Sequence, residues 1–469
     1  MSFRKKVIEG LTWSGIAQVG KEVCRFVITM TLARVLAPQE FGLMAMANVF
    51  VGFATLFLDM GIGNALIQRR EINEEHCSSA FWLNMAAGAF FMLLFFIVSP
   101  GIAMFYRRPE LVPIMNVLSI SFLVSAVAVV QQSLLMRAMD FWSLMIRDIA
   151  ATVLSGVLGI VLALKGYGVW SLVIQMLSWT VFNDLFLWSF SHWRPRFLFS
   201  KRAVKDLMGF SLNMTGFQMV NYFARNVDQL LIGRFLGAQS LGYYAMAYKL
   251  MLFPIQNISW VITKVMFPAF SKIQEDLPRV AENYAKMVKY ISLVTFPMML
   301  FFFIVAPDVI HLLWGQGWGE TVRIVRVLCF CGMIQSIVTV GGSVYMSQGR
   351  VDLQFRLSLV NVASTTLSIM IGLQWGVIGV ALAYTVLNLL WAPISIYAIT
   401  RILRYDFVKI QSILVRNLLA SFIPFVVLMG LQKYLSFEPL ALIFTLILSG
   451  GGLYLSALLI LKRTGFVSW

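Results

Sequence analysis

The sequence predicts an all-α integral membrane protein of about fourteen transmembrane helices, built as two six-helix halves related by a parallel repeat, with two further helices at the C-terminal end. Three observations predict it. The 469 residues are 59% hydrophobic and only 12% charged, where soluble domains carry about 25% charged residues. Apolar runs of spanning length follow one another along the chain. A segment near residue 34 returns near residue 234 in one ungapped register.

A spanning helix needs about 20 mostly apolar residues. Runs of that kind lie near 11–36, 41–67, 80–106, 113–133, 148–164 and 168–190 in the first half. In the second they lie near 207–233, 240–267, 286–306, 322–347, 355–374 and 376–400, and the appended pair lies near 413–432 and 438–461. The expected division is therefore 1–200, 201–405 and 406–469. Lys165-Gly-Tyr-Gly168 and Gln374-Trp-Gly376 are short enough to make tight hairpins of their flanking runs. The basic start Arg4-Lys5-Lys6 precedes a run that contains Lys21, Glu22 and Arg25, so it reads as a first spanning helix rather than a cleaved signal.

Orientation follows from Lys and Arg, which collect in cytoplasmic loops. With the N-terminus inside, twenty-four of the 37 basic residues fall in inner loops and four (Arg107, Arg108, Lys165, Lys433) in outer ones. Both termini are expected in the cytoplasm. The same asymmetry accounts for the net charge of +16, so nucleic acid is not an expected partner. Cys24, Cys77, Cys329 and Cys331 show no metal-ligand spacing and read as packing residues, and His76, His192 and His311 are scattered. No metal or cofactor is expected. No phosphate-loop motif is present, and no sizeable outer loop offers a placed acid and base; the expectation is a transporter, not an enzyme.

In the repeat, Arg34, Leu36, Gln39, Gly42, Ala45, Met46 and Ala47 recur as Arg234, Leu236, Gln239, Gly242, Ala245, Met246 and Ala247. Upstream, Gln18, Arg25 and Val27 recur as Gln218, Arg225 and Val227. Six expected spans separate the copies, so both point the same way, about an axis along the membrane normal. Transporters of such symmetry bind substrate between halves and rock them for alternating access.

Charges inside the spans mark the candidate site, because each costs about 2.5–3.5 kcal/mol at the bilayer centre. The first span carries Lys21, Glu22, Arg25 and Arg34; the second Asp59; the seventh Arg225, Asp228 and Arg234; the eighth Lys249 and Lys264. Lys21 and Arg25 share a helix face. Lys21, Arg25, Arg34, Arg225, Arg234 and Lys249 are the expected substrate-binding cations, since a positive interior suits a diphosphate or an acidic sugar and repels organic cations. Glu22, Asp59 and Asp228 are the expected ion-coupling carboxylates. The spacing of Glu22–Arg25 and Arg225–Asp228 equally suits ion pairs that only brace helices, and Arg34 and Arg234 are close enough to helix ends to snorkel. Aromatic residues, 14% of the chain, are mostly lipid-facing, with some available to stack on sugar rings.

Leu32-Ala-Arg-Val-Leu-Ala-Pro-Gln-Glu-Phe-Gly-Leu43 resembles the first-helix signature of the polysaccharide transport family, within the multidrug/oligosaccharidyl-lipid/polysaccharide (MOP) exporter superfamily. Asp59-Met-Gly-Ile-Gly-Asn-Ala-Leu-Ile-Gln68, Trp193-Arg-Pro-Arg196, Asp228-Gln-Leu-Leu-Ile-Gly-Arg-Phe-Leu-Gly237, Leu241-Gly-Tyr-Tyr244, Val265-Met-Phe-Pro-Ala-Phe-Ser-Lys-Ile-Gln274 and Leu312-Leu-Trp-Gly315 follow in the family's order. The resemblance runs to about residue 400, and Wzx-type colanic acid exporters are similar in pattern. It implies a MATE/MOP-like fold and a flippase of the bacterial inner membrane that moves undecaprenyl-diphosphate-linked oligosaccharide to the periplasmic leaflet. It further implies proton or sodium coupling, contact with membrane lipid, and polysaccharide polymerase machinery as a downstream partner. A drug exporter of the same fold is the alternative.

Overall fold

A computed structural model describes residues 3–59, 62–69, 71–208, 212–434 and Tyr454. Among these the regular structure is helix, with no strand. Helices lie on each of the first thirteen expected spans, and the fourteenth lies outside the described residues apart from Tyr454. In order they are α1 (Phe3–Val35), α2 (Pro38–Asp59), α3 (Ile62–Gln68), α4 (Glu74–Tyr106), α5 (Leu111–Ala126), α6 (Val129–Arg137), α7 (Phe141–Leu164), α8 (Val169–Phe190), α9 (Lys201–Met208), α10 (Leu212–Pro254), α11 (Trp260–Lys272), α12 (Leu277–Trp314), α13 (Gly319–Val338), α14 (Gly341–Ser347), α15 (Val351–Gly372), α16 (Gly376–Leu403) and α17 (Phe407–Tyr434). Seven described stretches are long and apolar enough to cross a membrane, and the bent pair α5–α6, turned by 42°, makes an eighth. Backbone groups have no water to bond in hydrocarbon, so a helix satisfies them internally. The outer faces match an apolar solvent: Ile97 is 78% exposed, Met104 77% and Leu164 67%.

The helix ends follow local chemistry. Asn73 caps α4 by accepting from the His76 amide, and the His76 ring returns the bond to the Asn73 amide. His76 is thus one half of a reciprocal capping box. Asp140 caps α7 and Asp276 caps α12, each accepting an amide three residues on. The two short hairpins turn where the sequence placed them, at Gly168 (φ +54°) and Gly376 (φ +71°), positions in the left-handed region that favours glycine. Arg137 at the end of α6 donates to the Leu66 carbonyl at 3.0 Å and also to that of Arg69, so a cation satisfies the orphan carbonyls at the end of α3.

Tertiary contacts gather into two units, Met1–Gly242 and Tyr243–Trp469. In the first, α4 packs on α5, α1 on α7 and α7 on α8. The first segment of α10 joins it: Tyr222 donates to the Val49 carbonyl of α2 at 2.7 Å, and α10 breaks at Gly237 (φ 85°, ψ 178°). The linker before α9 is tied to the start of α4, where Trp82 donates to the Arg196 carbonyl at 2.8 Å and Trp193 to Glu74 at 3.1 Å.

In the second unit, α12 is the hub, packing on α13 and α17, while α13 and α15 each pack on α16. The buried Asn417 of α17 donates to Ser292 Oγ at 2.7 Å and to the Lys289 carbonyl at 3.0 Å. One polar side chain thereby fixes the register of α17 on α12, with Leu428 against Ile304 and Val305 closing the apolar contact further along.

Candidate functional site: the charges within the helices

The first unit gathers its charges on α1, α7 and α8. Lys21 is turned into the bundle and lies 3.5 Å from Asp148 of α7. Arg147, only 8% exposed, donates through Nε to the same carboxylate at 3.0 Å. Asp184 of α8 is 7% exposed and accepts from Asn183 at 3.0 Å. Leu135, Leu144 and Leu187 pack together as one apolar layer. Gln131, Arg147 and Asp184 each lie one turn from a member of that layer, on the side away from the segments 138–140 and 191–200.

This polar layer carries an excess of unmet bonding capacity. Both amide atoms of Gln131, which is fully buried, lack a protein partner among the described residues, as do Arg147 Nη1 and Asp184 Oδ2. Buried polar groups ordinarily find partners, and leaving one without costs about 1–3 kcal/mol. Chemically the layer is a balanced set, Lys21 and Arg147 against Asp148 and Asp184, with hydrogen-bonding groups to spare.

Arg25 pairs with Glu22 at 3.6 Å and is 48% exposed on its side chain, so this i, i+3 pair forms. Arg225 is exposed, while Asp228, one turn on, is buried with Oδ1 accepting the Gln229 amide at 2.8 Å. Arg34 is exposed. Arg234 lies over the rings of Phe105 at 5.6 Å and Phe235 at 5.9 Å, a cation–π seat at the end of α4. Lys249 is exposed and belongs to the second unit. Asp59 ends α2, and its side chain and that of Lys264 lie outside the described residues. Among the described residues no group of three His, Cys, Asp or Glu could hold a metal.

The start expected for the fifth span at residue 148 leaves Arg147 outside it, and Asp148 and Asp184 are not among the expected site residues. Hydropathy started the fifth span at residue 148, whereas Asp140 caps the helix two turns earlier and draws Arg147 and Asp148 into it. The helix cap at Asp140 was the signal that would have found them.

The repeat has a counterpart in packing. Gly42 lies so close to the backbone of Ala238 that a Cβ there would run into its carbonyl oxygen, and Gly242 stands in the same relation to the carbonyl of Pro38. Each glycine of the repeat therefore packs on the residue four before the other.

Residues 31–323 match the model of the polysaccharide biosynthesis protein family. The chain belongs to this family. Among curated members it is similar to the teichuronic acid biosynthesis protein TuaB of Bacillus subtilis, 31% identical over 76% of this chain and 74% of the relative. It is also similar to the lipopolysaccharide biosynthesis protein WzxC of Escherichia coli, 29% identical over 86% and 82%. Among solved structures, the lipid II flippase MurJ in an inward closed conformation superimposes with a TM-score of 0.75 at 13% identity, over 96% of this chain and all of that one. At that identity the likeness concerns the fold alone, a multi-span helical membrane fold. For this family member, the membrane reading and the helical fold class expected from composition hold.

Proposed function

We propose that the chain is a flippase that carries undecaprenyl-diphosphate-linked oligosaccharide repeat units across the bacterial inner membrane for assembly of an exported polysaccharide. The observation that carries this reading is the coincidence of a polysaccharide biosynthesis family match with a fold shared, along nearly the whole chain, with the lipid II flippase MurJ. The chemistry required is transport by alternating access, with no covalent step. The chain has about fourteen spans, both termini in the cytoplasm, and two six-helix halves, 1–200 and 201–405, followed by the pair 406–469; the reciprocal Gly42–Ala238 and Gly242–Pro38 packing supports the two-fold repeat.

In this reading Arg25 and Arg225, both exposed, attract the diphosphate, with Arg34, Arg234 and Lys249 adding positive potential along the path. Lys21, which also pairs with Asp148, acts with them. Glu22, Asp59 and Asp228 are the carboxylates for a coupling proton or sodium ion. The lipid tail stays in the bilayer, and the polymerase machinery takes the delivered repeat unit.

The test is deletion of the gene in its host, with extracellular polymer and lipid-linked intermediates followed together. The expected result is loss of polymer and accumulation of lipid-linked units facing the cytoplasm, reversed by the wild-type gene. Unchanged polymer with no intermediate would refute it and favour a small-molecule exporter.

A further inference from the structure

Within the second unit, we infer that Tyr248, Gln335, Tyr384 and Asn388 form an uncharged subsite that recognises the sugar hydroxyl and acetamido groups of the oligosaccharide, separate from the cations that attract its diphosphate. The inference rests on the flippase reading and adds to it a place where the sugar, not the phosphate, is read.

These residues come from three helices and meet through their polar atoms. Gln335 of α13 donates to the Tyr384 hydroxyl of α16 at 2.7 Å and approaches Asn388 Oδ1 at 3.4 Å. The hydroxyl of Tyr248, from the second segment of α10, lies 3.5 Å from that of Tyr384. Tyr244 stacks on Tyr248 with ring centroids 5.8 Å apart, and the Tyr248 and Tyr384 rings are tilted at 6.2 Å. The result is a set of two amides and two phenols on an aromatic wall, within the spans of α13 and α16.

The arrangement on α16 shows which way the cluster faces. Leu382, Val386 and Leu390 form its exposed apolar stripe, at 49%, 52% and 63% exposure. Tyr384 and Asn388 are each two residues from members of that stripe, about 200° round the helix at about 100° per residue. They point away from the lipid side. Gln335, Tyr384 and Asn388 are half-buried rather than sealed, so part of the cluster's surface stays accessible. Polar side chains are costly in hydrocarbon and are found on faces toward protein or a wet cavity.

The bonding capacity matches a saccharide. Gln335 uses its amide nitrogen within the cluster, and its Oε1 has no protein partner among the described residues; Asn388 Nδ2 donates one bond, to the Tyr384 carbonyl at 2.8 Å. An amide has two donors and an acceptor with two lone pairs, so an acceptor at Gln335 and a further donor at Asn388 remain for vicinal hydroxyls. Tyrosine offers an apolar ring face with a polar tip, suited to the C–H face of a pyranose. None of the four residues carries charge at neutral pH. The cluster therefore offers a diphosphate no countercharge, and offers a sugar both hydrogen bonds and a ring face.

The experiment uses the full chain in nanodiscs of phosphatidylethanolamine and phosphatidylglycerol. Two probes are titrated: undecaprenyl diphosphate without sugar, and undecaprenyl-diphosphate-linked repeat unit extracted from the host. Gln335→Ala, Asn388→Ala and the conservative Tyr384→Phe are compared with wild type, with thermal stability measured in parallel. The expected result is that each variant weakens the sugar-bearing probe about tenfold, the size of one lost hydrogen-bonding partner, while the Kd for undecaprenyl diphosphate stays unchanged. Equal weakening of both probes, or of neither, would overturn the subsite and leave the flippase reading standing. A wild-type protein that binds neither probe would overturn both.

Discussion

Gly42 packs against the backbone carbonyl of Ala238, at a distance where no side chain fits. The relation is reciprocated 200 residues on, where Gly242 meets the carbonyl of Pro38. Two glycines that match in sequence thus occupy matching positions in one contact, which is the pattern a two-fold repeat would produce.

Gly42→Ala and Gly242→Ala are therefore expected to destabilise the protein by similar amounts. Each methyl would meet backbone rather than a movable side chain, so the cost is at or above the usual range for overpacking, about 1–3 kcal/mol. Thermal unfolding of the purified variants measures it. A loss at one glycine and none at the other would count against the repeat.

Gln131 offers the opposite kind of test. It is fully buried and neither amide atom has a protein partner among the described residues. Replacing a polar group that has no partner with an apolar one of similar volume removes a desolvation penalty of about 1–3 kcal/mol. Gln131→Leu should unfold at a higher temperature than wild type. A lower one would mean that Gln131 is bonded to water or an ion in the membrane, and that the layer formed by Gln131, Arg147 and Asp184 is hydrated.

Much of this architecture was legible in local signals. The turns at Gly168 and Gly376 and the helix positions follow from apolar runs and glycine placement, which depend on neighbours within a few residues. The i, i+3 pair of Glu22 and Arg25 was legible for the same reason. The partner of Lys21 was not, because Asp148 lies on another helix and only packing of α1 on α7 brings them within 3.5 Å. Nor was the cluster of Tyr248, Gln335 and Tyr384: these residues are scattered among apolar ones, and a neutral side chain leaves no mark on a charge count. The break of α10 at Gly237 falls where the sequence expected a loop between two spans, and the backbone passes it with a single kinked residue.

Arg25 separates binding from stability. Its side chain is half exposed and its pair with Glu22 is 3.6 Å long, and exposed pairs of this kind contribute about 0–1 kcal/mol. Arg25→Ala should insert and unfold like wild type, yet fail to restore polymer in the deletion strain. Full complementation would remove Arg25 from the substrate path.

The Lys21–Asp148 pair should behave differently. Asp148 answers two cations, Lys21 at 3.5 Å and Arg147 through its Nε at 3.0 Å. Asp148→Asn keeps the shape but leaves two positive groups facing each other across α1 and α7. Removing one partner of a fully buried pair costs about 3–5 kcal/mol; here Lys21 and Asp148 retain 19% and 21% side-chain exposure, which screens the charge and lowers the expected loss to about 1–3 kcal/mol. Lys21→Met alone leaves Asp148 with Arg147 and should cost less. In the double variant the α1 position carries no cation to oppose Arg147, so part of the loss is recovered. Thermal unfolding of the two single variants and the double variant forms a cycle that isolates the coupling. Strictly additive effects would mean that Lys21 and Asp148 do not interact in the membrane, and would leave Lys21 acting on the diphosphate without that pairing.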